Sequence, residues 1–154
     1  MENIDRKVLE DLVRKIITEK MGDTVSLSGI THRDPSGVTS VKIPKVMVDE
    51  SNRLDTGKRE DVVYTKDVFT LEESPRLGCG VMEMRATIFD WTLNYDEIDY
   101  VIEGRLDIIV DGRKVSAEAG EIVLIPKNTK IQFSVPEHAR FIYVTYPADW
   151  ANQG

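Results

Sequence analysis

The sequence predicts one all-β domain, a small sandwich, barrel or jelly roll, entered through an amphipathic helix. Three observations predict it. Only the first 22 of the 154 residues sustain a helical stripe. Everything after Gly22 breaks into short extended runs, and turn signals separate those runs at close spacing. The length fits one domain and lets the chain bury roughly 70% of the surface its unfolded form exposes. The expected division is a helix over 1–22, an extended arm and loop over 23–61, and a barrel over 62–154.

The elements follow in order. Ile4, Val8, Leu9, Leu12, Val13, Ile16, Ile17 and Met21 recur at helical spacing, with charged residues on the other face. Asn3 or Asp5 suits the start of this helix, and Gly22 suits its end. Three readings of it stay open: packing on the barrel, lying on a membrane, or docking in a partner's groove. The mixed charges of its polar face argue against the membrane. Thr24–Ile30 reads as extended and leads to a turn, with Pro35 second and Gly37 fourth. Ser40–Val48 reads as a strand that Pro44 demotes to an edge or arm. Ser51–Asp61 is a polar loop, and Val62–Leu71 is extended again. Val81–Phe89 alternates, placing Met82, Met84, Ala86 and Ile88 on one face. Glu97–Glu103 and Leu106–Val110 are strands around Gly104. Asp111-Gly112 is a two-residue hairpin signal returning through Arg113–Ala117. Glu121–Ile125, Lys130–Val135 and Arg140–Tyr146 complete the set.

Composition excludes several functions. Asp and Glu number 27 against 20 Lys and Arg, a net charge of -7. That argues against nucleic acid or an anionic membrane as a partner. No apolar run of about 18 residues is present, and no secretory leader is recognised. One cysteine, Cys79, allows no internal disulfide and points to a reducing cytoplasm. With only His32 and His138 as histidines, Cys/His zinc sites and HExxH proteases are excluded by count.

Two stretches then resemble the cupin signature. Glu97-Ile98-Asp99-Tyr100-Val101-Ile102-Glu103-Gly104 fits the Glu-to-Gly half of the first cupin motif. Gly120 and Pro126, with their spacing, fit the second. The resemblance implies a double-stranded β-helix, a small jelly-roll barrel. The departures are as informative. The metal-binding histidine positions hold Trp91, Leu93 and Ile131, and Glu97 alone remains of the usual ligands. One carboxylate cannot hold a transition metal against water, so no cupin metal centre is expected. His32 and His138 fall at no ligand position.

A closer resemblance lies around the first motif. Trp91-Thr92-Leu93-Asn94-Tyr95-Asp96-Glu97-Ile98-Asp99, and the ending Tyr143-Val144-Thr145-Tyr146-Pro147-Ala148-Asp149-Trp150, are similar to the EutQ family of ethanolamine-utilization proteins. The similarity covers about residues 62–150. It implies a role in ethanolamine catabolism, in a cytoplasmic bacterial microcompartment. It also implies acetate kinase activity, turning acetate and ATP into acetyl phosphate and ADP, and contact with shell proteins, with the helix of residues 1–21 as a possible targeting segment. The rival expectation is a non-catalytic, metal-free cupin that serves as a binding or shell-assembly module.

The residues themselves define a candidate site. If Glu97 points inward, strand alternation turns Asp99 and Val101 inward too, and Tyr95, Leu93 and Trp91 share that parity. Two carboxyls about 7 Å apart at Cα in a partly dry cavity demand a raised pKa or a shared cation. The plain alternative is that nearby cations, tyrosine hydroxyls and water satisfy them. Glu97, Asp99 and Tyr95 are the catalytic candidates. Trp91, Asn94, Tyr100, Phe133, Tyr143 and Lys127 are the substrate-binding ones, with core packing the simpler role for Phe133. Glu97 and Asp99 could hold Mg²⁺ brought with ATP. Arg85, Lys127 and Lys130 are the candidate phosphate cations; no Walker A sequence is present. A homodimer is expected, because the arm before residue 61 offers edge strands.

Overall fold

The structure, a computed structural model, describes residues 29–153. They form eight strands: β1 (Thr31–Arg33), β2 (Thr39–Val41), β3 (Val62–Asp67), β4 (Gly78–Leu93), β5 (Asp96–Val110), β6 (Arg113–Glu118), β7 (Ile122–Ile125) and β8 (Thr129–Tyr146). The amphipathic helix of residues 1–22 and the extended stretch Thr24–Ser28 lie outside the described residues. No helix among the described residues is long and apolar enough to cross a membrane.

The described residues up to Val46 belong to one compact unit and those from Met47 onward to another. In the first, β1 and β2 pair antiparallel around the turn at Pro35. Gly37 N–H closes that turn on Asp34 C=O at 2.9 Å. The strand expected over Ser40–Val48 stops at Val41. Pro44 instead enters a 3-10 turn, Ile43–Lys45. Its fixed φ and missing N–H suit the first residues of such a turn.

The second unit is built on β8. It pairs with β4 on one side and β5 on the other, with β3 beyond β4, and β6 and β7 beyond β5. Every pairing is antiparallel. Met84, Leu93, Val101, Leu106, Ile125 and Phe141 are fully buried in one apolar cluster between these strands. This is a cupin-type jelly roll, the all-β architecture expected.

The three long strands turn a corner at one level. In β4 a bulge falls at Ala86, whose φ is +39°, and the register with β8 shifts between Arg85 and Thr87. One extra residue reverses the side-chain alternation. Met82 and Met84 therefore face inward before the bulge, and Thr87, Phe89 and Leu93 after it. Ala86 and Ile88, expected beside the methionines, are exposed. In β5 the corner is Gly104 at φ +76°, where the register with β8 shifts again. The sequence pattern divides β5 and β8 at this level into two strands each. Both run through, bending where Gly104 and Pro136 sit.

Gly104 is required on two counts. Its φ is in the left-handed region, and an added Cβ would overlap the His138 carbonyl of β8. At the Asp111-Gly112 turn, both residues have positive φ, +50° and +73°, as the short hairpin demands. A Cβ on Gly112, however, meets nothing within 4 Å. Gly112→Ala should thus cost about 1–2 kcal/mol of stability, the left-handed penalty alone. Gly104→Ala adds overpacking and should cost about 3 kcal/mol or more. Urea unfolding of the two variants against the parent measures both, and equal losses would refute the corner assignment.

Candidate active site

The inward face of β5 carries acid where a barrel core carries hydrocarbon. Glu97 sits between Thr145 of β8 and Ile125 of β7, and Asp99 between Tyr143 of β8 and Val123 of β7. Glu97 is 5% exposed, and Asp99 is completely buried. The strand period explains why both face in, since residues two apart share a face. Tyr95 and Val101 are buried on the same face.

Burial pushes the Glu97 carboxyl up to about 7, with hydrogen bonds from Asp99 and Tyr95 opposing the rise. Asp99 is raised well above the carboxylate range, by burial first and by the Glu97 charge second. Neither Asp99 oxygen meets a hydrogen-bond donor while both acids are ionised. Two buried carboxyls side by side therefore hold a proton between them near neutral pH. Asp107 on the same strand provides the contrast. Burial alone would raise it, yet Ser116, Arg105 at 2.9 Å and Lys114 at 3.5 Å hold it below the ordinary value. Among the described residues no such cation faces Glu97 and Asp99.

Around Glu97 is a small cavity walled by Phe89, Trp91, Tyr95, Tyr143 and Trp150, with Leu54 at one side. It offers about 20 Å³ to water centres, room for about one or two waters. Its polar groups are linked. Trp91 Nε1–H donates to the Tyr95 hydroxyl at 2.8 Å. Burial, and then the charge of Glu97, keep Tyr95 protonated. The Tyr143 hydroxyl donates to Asp67 Oδ1 at 2.6 Å. Its ring takes the place of a side chain at Gly80, where a Cβ would overlap the phenol. Trp150 covers the cavity from a 3-10 turn, Trp150–Asn152, its ring 5.9 Å from Tyr95, 6.3 Å from Trp91 and 6.4 Å from Tyr143.

The structure gathers Glu97, Tyr95, Trp91, Phe133 and Tyr143 on this cavity, with Asp99 behind Glu97. It separates the other candidates from it. Tyr100 is 45% exposed on the opposite face of β5, because it is one residue out of step with Asp99. Asn94 lies in the β4–β5 turn, half-buried. Lys127 is exposed in the β7–β8 turn, its backbone N–H bonded to Asp96 Oδ1 at 2.8 Å. Arg85 and Lys130 are exposed and line no part of the cavity. Leu54 escapes a motif reading, because it reaches the cavity from a loop far away in sequence; Trp150 ends the segment that carries the family resemblance, yet nothing there marks it as a site residue.

A raised carboxyl has a definite effect on stability. Between 4.5 and about 7 the folded chain binds a proton at Glu97 that the unfolded chain has released. The contribution is complete at low pH and is lost as pH rises through 7. Denaturant unfolding of the parent, relative to a Glu97→Gln/Asp99→Asn variant, should show a loss of about 3 kcal/mol between pH 4.5 and 8. A pH-independent difference would refute the buried acid pair.

Comparison with known proteins places this geometry. The family profile described as ethanolamine utilisation protein EutQ matches residues 4–152. A protein of Clostridioides difficile named acetate kinase EutQ is 67% identical, over 99% of this chain and 98% of its own. One of the same name from Salmonella typhimurium is 32% identical, and this chain spans 62% of its length. The solved structure of the Clostridium difficile EutQ protein superposes with a TM-score of 0.80 at 73% identity, over 81% of this chain and 91% of that one. A cupin domain of Schizosaccharomyces pombe Cnp3 shares the fold alone, with a TM-score of 0.52 at 14% identity over 74% of this chain and 77% of that one. The chain, with its cupin barrel and its buried acid pair, belongs to the EutQ family of ethanolamine utilisation proteins.

Proposed function

We propose that this chain is an acetate kinase whose acyl pocket is the aromatic cavity on Glu97. One observation carries the reading: a buried, proton-sharing carboxyl pair opening on a small, almost wholly apolar cavity. Acetate is two carbons long, with a carboxylate at one end and a methyl group at the other. A neutral Glu97 donates a hydrogen bond to that carboxylate, and Asp99 behind it keeps the proton available. Phe89, Trp91 and Phe133 take the methyl group. An acetate oxygen, already anionic at neutral pH, attacks the γ-phosphorus as the bond to ADP breaks. No base is required for that step, and positioning and electrostatics carry it.

The space accounts for specificity and for the metal. With room for about one or two waters, acetate enters when Trp150 swings aside, and longer acids enter poorly. Mg²⁺ keeps several waters in its shell, so Glu97 and Asp99, as they stand, suit a proton better than the metal. We place Mg²⁺ on the nucleotide phosphates, outside the barrel. Family membership supports a role in ethanolamine catabolism. It also supports the further proposals that the protein works in the cytoplasm within a microcompartment and contacts its shell through residues 1–22.

The homodimer is proposed from a different face. Ile98, Tyr100, Ile122, Leu124 and Tyr146 are all at least 40% exposed on the outer surface of β7, β5 and β8. Ile98 pairs with Leu124, and Tyr100 with Ile122, so four of them are contiguous. They present on the order of 500 Å² of surface, the size of patch that in soluble proteins often marks an interaction site. A second copy covering it removes on the order of 1,000 Å² in all, the lower bound of a specific interface. Ile122→Lys/Leu124→Lys should convert a dimer to a folded monomer in analytical ultracentrifugation. An unchanged sedimentation coefficient would refute that face.

The kinase reading is tested by trapping acetyl phosphate with hydroxylamine. Glu97→Leu should lower kcat/KM for acetate about 10- to 100-fold, the value of a hydrogen bond to a charged group. Glu97→Gln, which still donates, should retain more activity and lose the decline in acetate affinity above pH 7. No acetyl phosphate from the parent, or an unaffected Glu97→Leu, sinks the kinase and leaves the binding-module reading.

A further inference from the structure

We propose that the loop Arg53–Arg59 is a polyphosphate-binding groove beside the acyl cavity, holding the phosphate tail of the nucleotide. This rests on the kinase reading for its biological sense, although the site is argued from its own geometry. The groove has a volume of about 260 Å³ and is lined by Arg53, Leu54, Asp55, Gly57, Lys58 and Arg59. With Arg53 paired to Glu50, Lys58 and Arg59 remain against Asp55, a positive surplus that is unusual in a chain of net charge -7.

The other concavities lack this balance. The groove on the far side of Trp91, about 350 Å³, sets Lys130 against Asp90 and Asp111. The acyl cavity has no cation on its wall. Phosphoryl transfer requires positive charge on the transferring group, and among these three the loop groove alone has a surplus.

The loop is also built to hold a shape. Arg53 is fixed by Glu50 at 3.0 Å, by the Asp61 carbonyl at 2.7 Å and by stacking over the Tyr64 ring. Thr56 Oγ1 donates to Asp61 Oδ2 at 2.6 Å, and Gly57 N–H to Asp55 Oδ1 at 2.8 Å. Leu54 N–H bonds to Val63 C=O of β3 at 2.9 Å. The loop is thus anchored on the barrel at both ends. Lys58 and Arg59 stand exposed on it. Their side chains enter no hydrogen bond or ion pair among the described residues. A frame already satisfied internally, presenting two uncommitted cations, suits an anion that arrives from solvent.

Leu54 lines both the groove and the acyl cavity. Leu54 borders both spaces, so its side chain turns aside for the acetate oxygen to reach, in line, a terminal phosphorus held by Lys58 and Arg59. Mg²⁺ and the base of the nucleotide remain in solvent-facing territory.

The test is binding of inorganic tripolyphosphate to the full chain, measured by calorimetry at low salt, in parallel with the KM for MgATP. The parent should bind tripolyphosphate, more weakly as salt rises. Lys58→Ala/Arg59→Ala should weaken binding about 10-fold or more, for two charge-assisted contacts. It should raise the KM for MgATP and leave that for acetate unchanged. Arg76→Ala/Arg113→Ala, which removes the same charge elsewhere, should bind as the parent does. Absence of tripolyphosphate binding by the parent, or unchanged binding by Lys58→Ala/Arg59→Ala, overturns the groove. Binding that depends on Lys58 and Arg59 in a protein that makes no acetyl phosphate supports the groove and sinks the kinase. Normal acetyl phosphate formation at low MgATP by Lys58→Ala/Arg59→Ala overturns the groove and leaves the kinase standing.

Discussion

The corner shared by β4, β5 and β8 is the constraint on which the barrel depends. Strands of 15 to 18 residues cannot stay straight and still enclose a core of this size. They bend together because Ala86 bulges, Gly104 adopts a left-handed conformation, and Pro136 and Glu137 pass the same level unpaired. The bend sets which residues face in on either side of it. Glu97 and Asp99 belong to the N-terminal half of β5 and share the parity of Val101. Beyond Gly104 the fully buried hydrophobic residues are Leu106 and Ile108, in the other phase. The acid pair lies inside because the corner and the strand period together leave it nowhere else to point.

Those buried acids are tolerated for a reason the surrounding residues make plain. An ionised pair in this wall would face apolar side chains and each other. Holding a proton removes most of that penalty, while Trp91, through Tyr95, orients a hydroxyl beside Glu97. Asp107 follows the opposite course, remaining charged by recruiting Arg105 and Lys114 from the rim. One strand thus contains both standard solutions to a buried carboxyl, and only the proton-sharing one opens on a cavity.

Much of this was legible in the residues. Gly104, Asp111-Gly112, Gly120 and Pro126 mark turns or corners by chemistry that has few alternatives, so they locate the strands. The alternation of Tyr95, Glu97, Asp99 and Val101 places the acids on one face without any structure. The same rule excludes Tyr100, whose even position puts it outside. It was the phenol itself, not its parity, that recommended it. The bulge at Ala86 was hidden, because alanine carries no turn signal and the alternation reads smoothly through it. Trp150, Leu54, Lys58 and Arg59 were hidden for another reason. Each reaches its place through chain closure over distances that no local spacing records.

The chain has two tryptophans, Trp91 and Trp150. Their rings lie 6.3 Å apart across the same cavity. Both indoles are therefore spectators of whatever enters, one fixed in the wall and the other on the cover. Excitation at the red edge of the near-ultraviolet, where indoles absorb and phenols do not, therefore samples that cavity. The molecule carries its own optical gauge of occupancy, with Tyr95 and Tyr143 close enough to pass excitation to it, and no label is required to read it.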